Sequence, residues 1–128
     1  MNDLGNAIDE EQPVPFEPAI VEIVSGPYDG HMLLIDHVPC VIGRDADDLA
    51  LALDRDRWVS RRHAELRWHD NQWWICDLKS ANGIQIGTDT PVRDQEVKLP
   101  YETVVCIGHT DLLLHQQQRG DAPVLPFI

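Results

Sequence analysis

The chain has 128 residues, 22 Asp and Glu against 10 Lys and Arg, a net charge of −12 and 43% hydrophobic residues. That is one domain's length, with material for a real core, and a charge balance that opposes nucleic acid and anionic lipid as partners. No apolar run reaches about 18 residues and no basic segment leads into an apolar N-terminal core, so neither a helical membrane span nor a secretory signal is expected. Cys40, Cys76 and Cys106 each sit in an apolar run without a C-x-x-C pair. They read as buried free thiols, which suits a reducing, cytoplasmic setting.

Residues 1–18 read as a disordered acidic tail. Asp3, Asp9, Glu10, Glu11 and Glu17 face no base there, and Pro13, Pro15 and Pro18 break regular structure. The tail has no Ser, Thr or Tyr, so no hydroxyl is available for phosphorylation; Asp9-Glu10-Glu11 offers only a permanent acidic mimic. Short apolar runs then alternate with turn signals: 19–24, closed by Gly26-Pro27 and Asp29-Gly30, then 31–36, 40–42 and 49–53. Residues 62–68 alternate polar and apolar, as a half-buried strand does. Asp70-Asn71 marks a tight turn into 72–78. Ile84 with Ile86, then 97–99, 103–107 and 111–115, complete the series. No sustained helical period appears, so the expected fold is an all-β sandwich without substantial helix, over residues 19–116. Residues 117–128 read as a C-terminal tail or the start of a linker.

Three short stretches carry chemistry. They are Gly43-Arg44, Ser60-Arg61-Arg62-His63, and the run from Asp77 to Gly83 that includes Ser80-Ala81-Asn82. All fall at strand ends, where a rigid scaffold holds loop side chains for binding. Arg44, Arg55, Arg57, Arg61, Arg62 and Arg67 form an arginine cluster in an acidic protein. One reading is a solvated face, with Asp45, Asp47, Asp48, Asp54, Asp56 and Glu65 interleaved as partners. The other is a local anion site, because the guanidinium fork matches phosphate oxygens two at a time.

In order and spacing these stretches resemble the forkhead-associated (FHA) domain, over about residues 20 to 115. The resemblance implies a β-sandwich of about eleven strands that binds phosphothreonine peptides without catalysis. It implies that Arg44 pairs with the phosphate, Ser60 donates its hydroxyl and Arg61 adds a second contact. Asn82 would hold the peptide backbone. Gly43, His63 and Gly83 would support the loops, with His63 bracing the serine loop. Ala81, Arg62 and Trp58 would make a secondary pocket, although Arg62 also reads as a strand-face residue. Trp58 reads as an anchor for the recognition loop in preference to a wall of the peptide groove. Ala81 departs from the family, which often has threonine there. Losing that hydroxyl removes one donor, worth at most about 1.5–3 kcal/mol, or roughly tenfold or more in affinity.

Other readings are weaker. Ser60 beside His63, with Asp77 as orienter, invites a hydrolase triad, but no glycine-flanked nucleophile elbow is present. The six histidines show no metal-binding spacing. No glycine-rich loop opens a helix, so no nucleotide cofactor is expected. Trp68, Trp73 and Trp74 lie in strand runs and read as packing residues. The expected partner is a phosphothreonine-bearing protein, a Ser/Thr kinase or its substrate, with neither nucleic acid nor membrane involved. The alternative is a phosphate-independent scaffold or assembly module on the same fold, in a bacterial signalling or secretion setting.

Overall fold

A computed structural model gives the structure of the protein and describes residues 16–45 and 51–117. The acidic tail through residue 15, Asp47 and Asp48, and the segment from residue 118 lie outside the described residues.

Ten strands are formed among the described residues: β1 (Ala19–Ser25), β2 (Met32–Ile35), β3 (Cys40–Gly43), β4 (Leu51–Ala52), β5 (Ala64–His69), β6 (Gln72–Asp77), β7 (Ile84–Ile86), β8 (Glu96–Lys98), β9 (Val104–Ile107) and β10 (Thr110–Gln116). About eleven were expected, and each run read from the sequence corresponds to one strand. Two five-stranded sheets result, in the orders β2-β1-β10-β9-β7 and β4-β3-β5-β6-β8. Every pairing is antiparallel except the short β3–β4 contact, which is parallel.

Alternation builds the core. Ala19, Val21 and Ile23 of β1, Leu112 and Leu114 of β10, Leu66 of β5, and Trp73 and Ile75 of β6 all point inward and are buried. Each large side chain so buried contributes roughly 1.5–3 kcal/mol. The β5–β6 hairpin turns at Asp70 and Asn71, with φ of 55° and 59°. Both residues tolerate the left-handed region that a two-residue hairpin requires. Among the described residues no helix is long and apolar enough to cross a membrane.

One expectation needs correction. Only Cys40 is fully buried; Cys76 and Cys106 are half-buried on strand faces. Burial still pushes the Cys106 thiol up to about 11. Phe16 and Glu17, read as part of the tail, make contacts with the sandwich. Phe16 meets Trp73 edge-on with ring centroids 6.1 Å apart, and Glu17 accepts a hydrogen bond from the Tyr101 hydroxyl (3.0 Å). Their acidic and proline-rich surroundings concealed a contact made across the whole chain.

Candidate functional site: the loop end of the sandwich

Strand register decides which loops meet. Ala64 pairs with Asp77 and with Ile42. The start of β5 and the ends of β3 and β6 therefore lie at the same end of the second sheet. The segments that leave there carry Arg44, Ser60 to His63, and Ser80 to Gly83.

Gly43 allows the first two to touch. A Cβ on Gly43 would stand 2.1 Å from the Arg61 carbonyl oxygen. That close approach lets Arg44 N–H bond the Ser60 carbonyl (3.0 Å) and Asp45 N–H bond the Arg61 carbonyl (3.1 Å). The Arg44 side chain is fixed as well, its Nε donating to the Val59 carbonyl (2.6 Å). This is its one side-chain bond among the described residues.

His63 is completely buried. Its Nδ1 accepts the Ser60 backbone N–H (2.9 Å), which places the ring proton on Nε2. Nε2 in turn donates to the Gly83 carbonyl (2.7 Å). One imidazole thus ties the serine loop to the asparagine loop. Ser60 Oγ accepts the Ala81 backbone N–H (3.0 Å). A hydroxyl has one donor and two lone pairs, so its O–H remains able to donate.

Asp77 organises the other loop. Its buried carboxylate accepts from the Ser80 hydroxyl, from Ser80 N–H (3.2 Å) and from Asp94 N–H (2.7 Å). Ser80 Oγ accepts Gly83 N–H (2.8 Å). Gly83 has φ of 75°, and a Cβ there would meet the Val92 carbonyl oxygen at 2.7 Å. This arrangement is not a triad: Asp77 serves the Ser80 turn, and His63 takes the Ser60 amide, not its hydroxyl. Asn82 is exposed, and its Nδ2 donates to the Trp58 carbonyl (2.9 Å). Ala81 is also exposed and is held at both backbone groups, since Arg93 Nη1 donates to its carbonyl (2.6 Å).

The arginine cluster divides. Arg67 pairs with Glu65 (2.7 Å) and Glu96 (3.1 Å) on the outer sheet face, and the bond to Glu65 raises its pKa. Arg55 lies over the Tyr28 ring, 4.7 Å from its centroid. Arg57, Arg61 and Arg62 are exposed, and no ion pair holds them among the described residues. Arg62 belongs to the loop, because β5 starts only at Ala64. The anchoring role expected of the Trp58 ring is not what is found: the residue is 53% exposed.

Two contributors had no signal in the sequence. Arg93 reaches the site from the β7–β8 connection. Asp56, read as a surface partner for arginine, is buried and accepts three bonds: from Trp58 N–H (3.0 Å), His109 N–H (2.8 Å) and the Thr110 hydroxyl (2.6 Å). No group of three or more His, Cys, Asp or Glu able to hold a metal ion occurs among the described residues.

The sandwich gathers the candidate groups on connected loops at one end. A family model for the FHA domain matches residues 40–108. The chain belongs to the FHA domain family. It is 35% identical over 92 residues to the FHA domain-containing protein FhaB of Mycobacterium tuberculosis, covering 72% of this chain and 57% of that protein. The chain therefore spans a little over half the length of that relative. Among solved structures it is similar to one from a study of phosphothreonine-dependent FHA domain interactions, at 28% identity and a TM-score of 0.66, covering 80% of this chain and 99% of the other. It is also similar to the FhaA FHA domain complexed with the intracellular domain of Rv3910, at 30% identity and a TM-score of 0.63, covering 76% and 99%.

Proposed function

We propose that the loop end is a noncatalytic reader of phosphothreonine in a partner protein, serving Ser/Thr-kinase signalling in a bacterial cytoplasm. The observation that carries this reading is the convergence of Arg44, Ser60, Arg61 and Asn82 on loops tied together by the buried His63. A phosphothreonine brings close to two negative charges and three acceptor oxygens. Arg44 and Arg61 supply guanidinium donors and Ser60 its hydroxyl. The Asn82 carboxamide stands beside them to meet the peptide backbone. All these loops are fixed before ligand arrives, which reduces the ordering cost of binding. Similarity to an FHA structure studied for phosphothreonine-dependent interactions supports the phosphothreonine reading as such.

The phosphate-independent scaffold keeps one specific observation in its favour: Ala81 has no hydroxyl to offer. A titration decides between the two. A phosphothreonine peptide is compared with its phosphoserine and unphosphorylated forms, against the intact chain and Arg44→Ala. Saturable binding of the phosphothreonine form at micromolar Kd or weaker, about −8 kcal/mol or less favourable, and its loss in Arg44→Ala, is the expected result. Equal binding of the unphosphorylated form would establish the scaffold reading instead.

A further inference from the structure

The far end of the sandwich, beside the turn joining β5 to β6, carries a groove of about 250 Å³. Trp68, Trp73, Leu99, Pro100 and Tyr101 line it together with Glu17. Trp68 and Phe16 both meet Trp73 edge-on, with ring centroids 5.4 and 6.1 Å from it. Phe16 comes from outside the strands, so this aromatic cluster already accepts a ring brought in by a connecting segment. Strand β10 ends against the same groove. Gln116, its last residue, donates from Nε2 to Glu17 Oε1 (3.3 Å), and that oxygen also accepts the Tyr101 hydroxyl (3.0 Å). The sequence that follows changes character. Residues 116–121 are Gln, Arg, Gly or Asp, whereas Pro123-Val124-Leu125-Pro126-Phe127-Ile128 has no polar side chain.

We propose that this groove is the docking site of residues 123–128 of the same chain. Chemistry names the occupant. Two prolines three positions apart, with apolar residues between and after them, suit a groove walled by aromatic rings, because such a segment is stiff before it binds and loses little freedom on docking. Pro123 and Pro126 also lack N–H groups, so two backbone donors that an apolar wall would leave unpaired are absent. Reach permits the contact. Pro123 lies seven residues beyond Gln116, at most about 25 Å of extended chain. A domain of this size has a radius of gyration of only about 13 Å. The groove and the phosphothreonine loops lie at opposite ends of the β5–β6 hairpin, so docking adds an intramolecular contact without touching the proposed phosphate site.

The test compares the intact chain with one ending at Gln117, by NMR at a concentration where sedimentation shows a monomer. Truncation is expected to shift the indole N–H resonances of Trp68 and Trp73 and the ring resonances of Tyr101, while the indole of Trp58 at the loop end stays in place. In the intact chain, nuclear Overhauser contacts are expected from the Leu125 methyls or the Phe127 ring to Trp68 and Tyr101. Leu125→Ser combined with Phe127→Ser, which removes no contact within the sandwich, should reproduce the truncation shifts. A synthetic peptide of residues 118–128 added to the truncated chain should reverse them with a Kd of about 1 mM or tighter, because a short tether supplies an effective concentration of that order. Resonances unmoved by truncation, or a peptide that does not bind at millimolar concentration, overturns the docking. Shifts produced instead by removing residues 1–15 give the groove to the N-terminal segment, and contacts found only between differently labelled chains give it to a second copy. Either result overturns docking within one chain, and each leaves the phosphothreonine reading standing.

Discussion

At the turn joining β5 to β6, Trp73 meets Trp68 edge-on with ring centroids 5.4 Å apart and Phe16 at 6.1 Å. At the other end of the same hairpin the chain is closed by directional bonds through His63, Asp77, Ser80 and Asp56. The aromatic end holds a polar atom loosely: buried Trp73 Nε1 makes no hydrogen bond of full geometry among the described residues, although the Tyr101 hydroxyl lies against it. The loop end holds none so loosely: its buried Asp56, His63, Asp77, Ser80 and Thr110 are all bonded. Apolar packing rewards volume and leaves orientation free. Hydrogen bonds fix orientation, which is what the proposed reading of a three-oxygen anion requires. One end therefore sustains the fold, and the other spends its polar groups on geometry.

The largest effect should come from the aromatic end. Trp73→Ala is expected to cost about 3–5 kcal/mol of stability, read as a fall in the denaturant midpoint. The Kd for a phosphothreonine peptide, measured where the variant is still folded, should barely move. A parallel loss of binding would show that the two ends are coupled. His63→Ala probes the opposite end and should disturb both quantities. It strands the Ser60 N–H and the Gly83 carbonyl, each worth about 1–3 kcal/mol when left unpaired and buried. It also frees the serine loop, so binding should weaken by at least about tenfold. Unfolding and titration of the same preparation would check both.

Ala81→Thr sharpens the comparison in the other direction. Ala81 is exposed, with both backbone groups already bonded, so an added hydroxyl should leave stability nearly unchanged. It should tighten phosphothreonine binding by roughly tenfold or more, the worth of one further bond to a charged group. No gain in affinity would mean that position 81 does not face the phosphate.

How legible each end was in the sequence follows from the range of its contacts. Strands were readable because alternation is local: residues 62–68 and 72–78 became Ala64–His69 and Gln72–Asp77. Arg44, Ser60, His63 and Asn82 were readable through their ordered spacing, and the register of β3, β5 and β6 brings them together. Asp56 was not readable, because its partners His109 and Thr110 lie 53 and 54 residues away. An aspartate among arginines looks like a surface partner until those amides arrive. Trp58 was misread for the same reason. Tryptophan in a loop suggests a buried anchor, yet here the backbone is bonded and the ring, 53% exposed, stacks only on exposed His109. Phe16 was hidden by composition, since nothing in an acidic, proline-rich stretch marks one ring as core.

The smallest expected effect separates the two regions by pH. His115, on β10, bonds Glu102 through Nδ1 and Glu22 through Nε2, both at 2.8 Å. Burial alone would lower its pKa, but the bonds to Glu22 and Glu102 outweigh it and the net direction is up. A histidine whose folded value lies above the unfolded one, about 6.5, adds stability that is fully present below that value. The contribution is lost as pH rises through the folded value. His115→Gln should therefore cost about 0.2–1 kcal/mol near pH 6, and the difference should close toward pH 8 and shrink with added salt. Phosphothreonine binding should respond in the opposite sense. The phosphate loses its second charge below about pH 6, so acid weakens the ligand's hold on Arg44 and Arg61 while the His115 contacts are at full strength. Stability and affinity measured across the same pH series should diverge in wild type, and the stability limb alone should flatten in His115→Gln. If both limbs flatten together, His115 acts on the loop end as well as on its own sheet face.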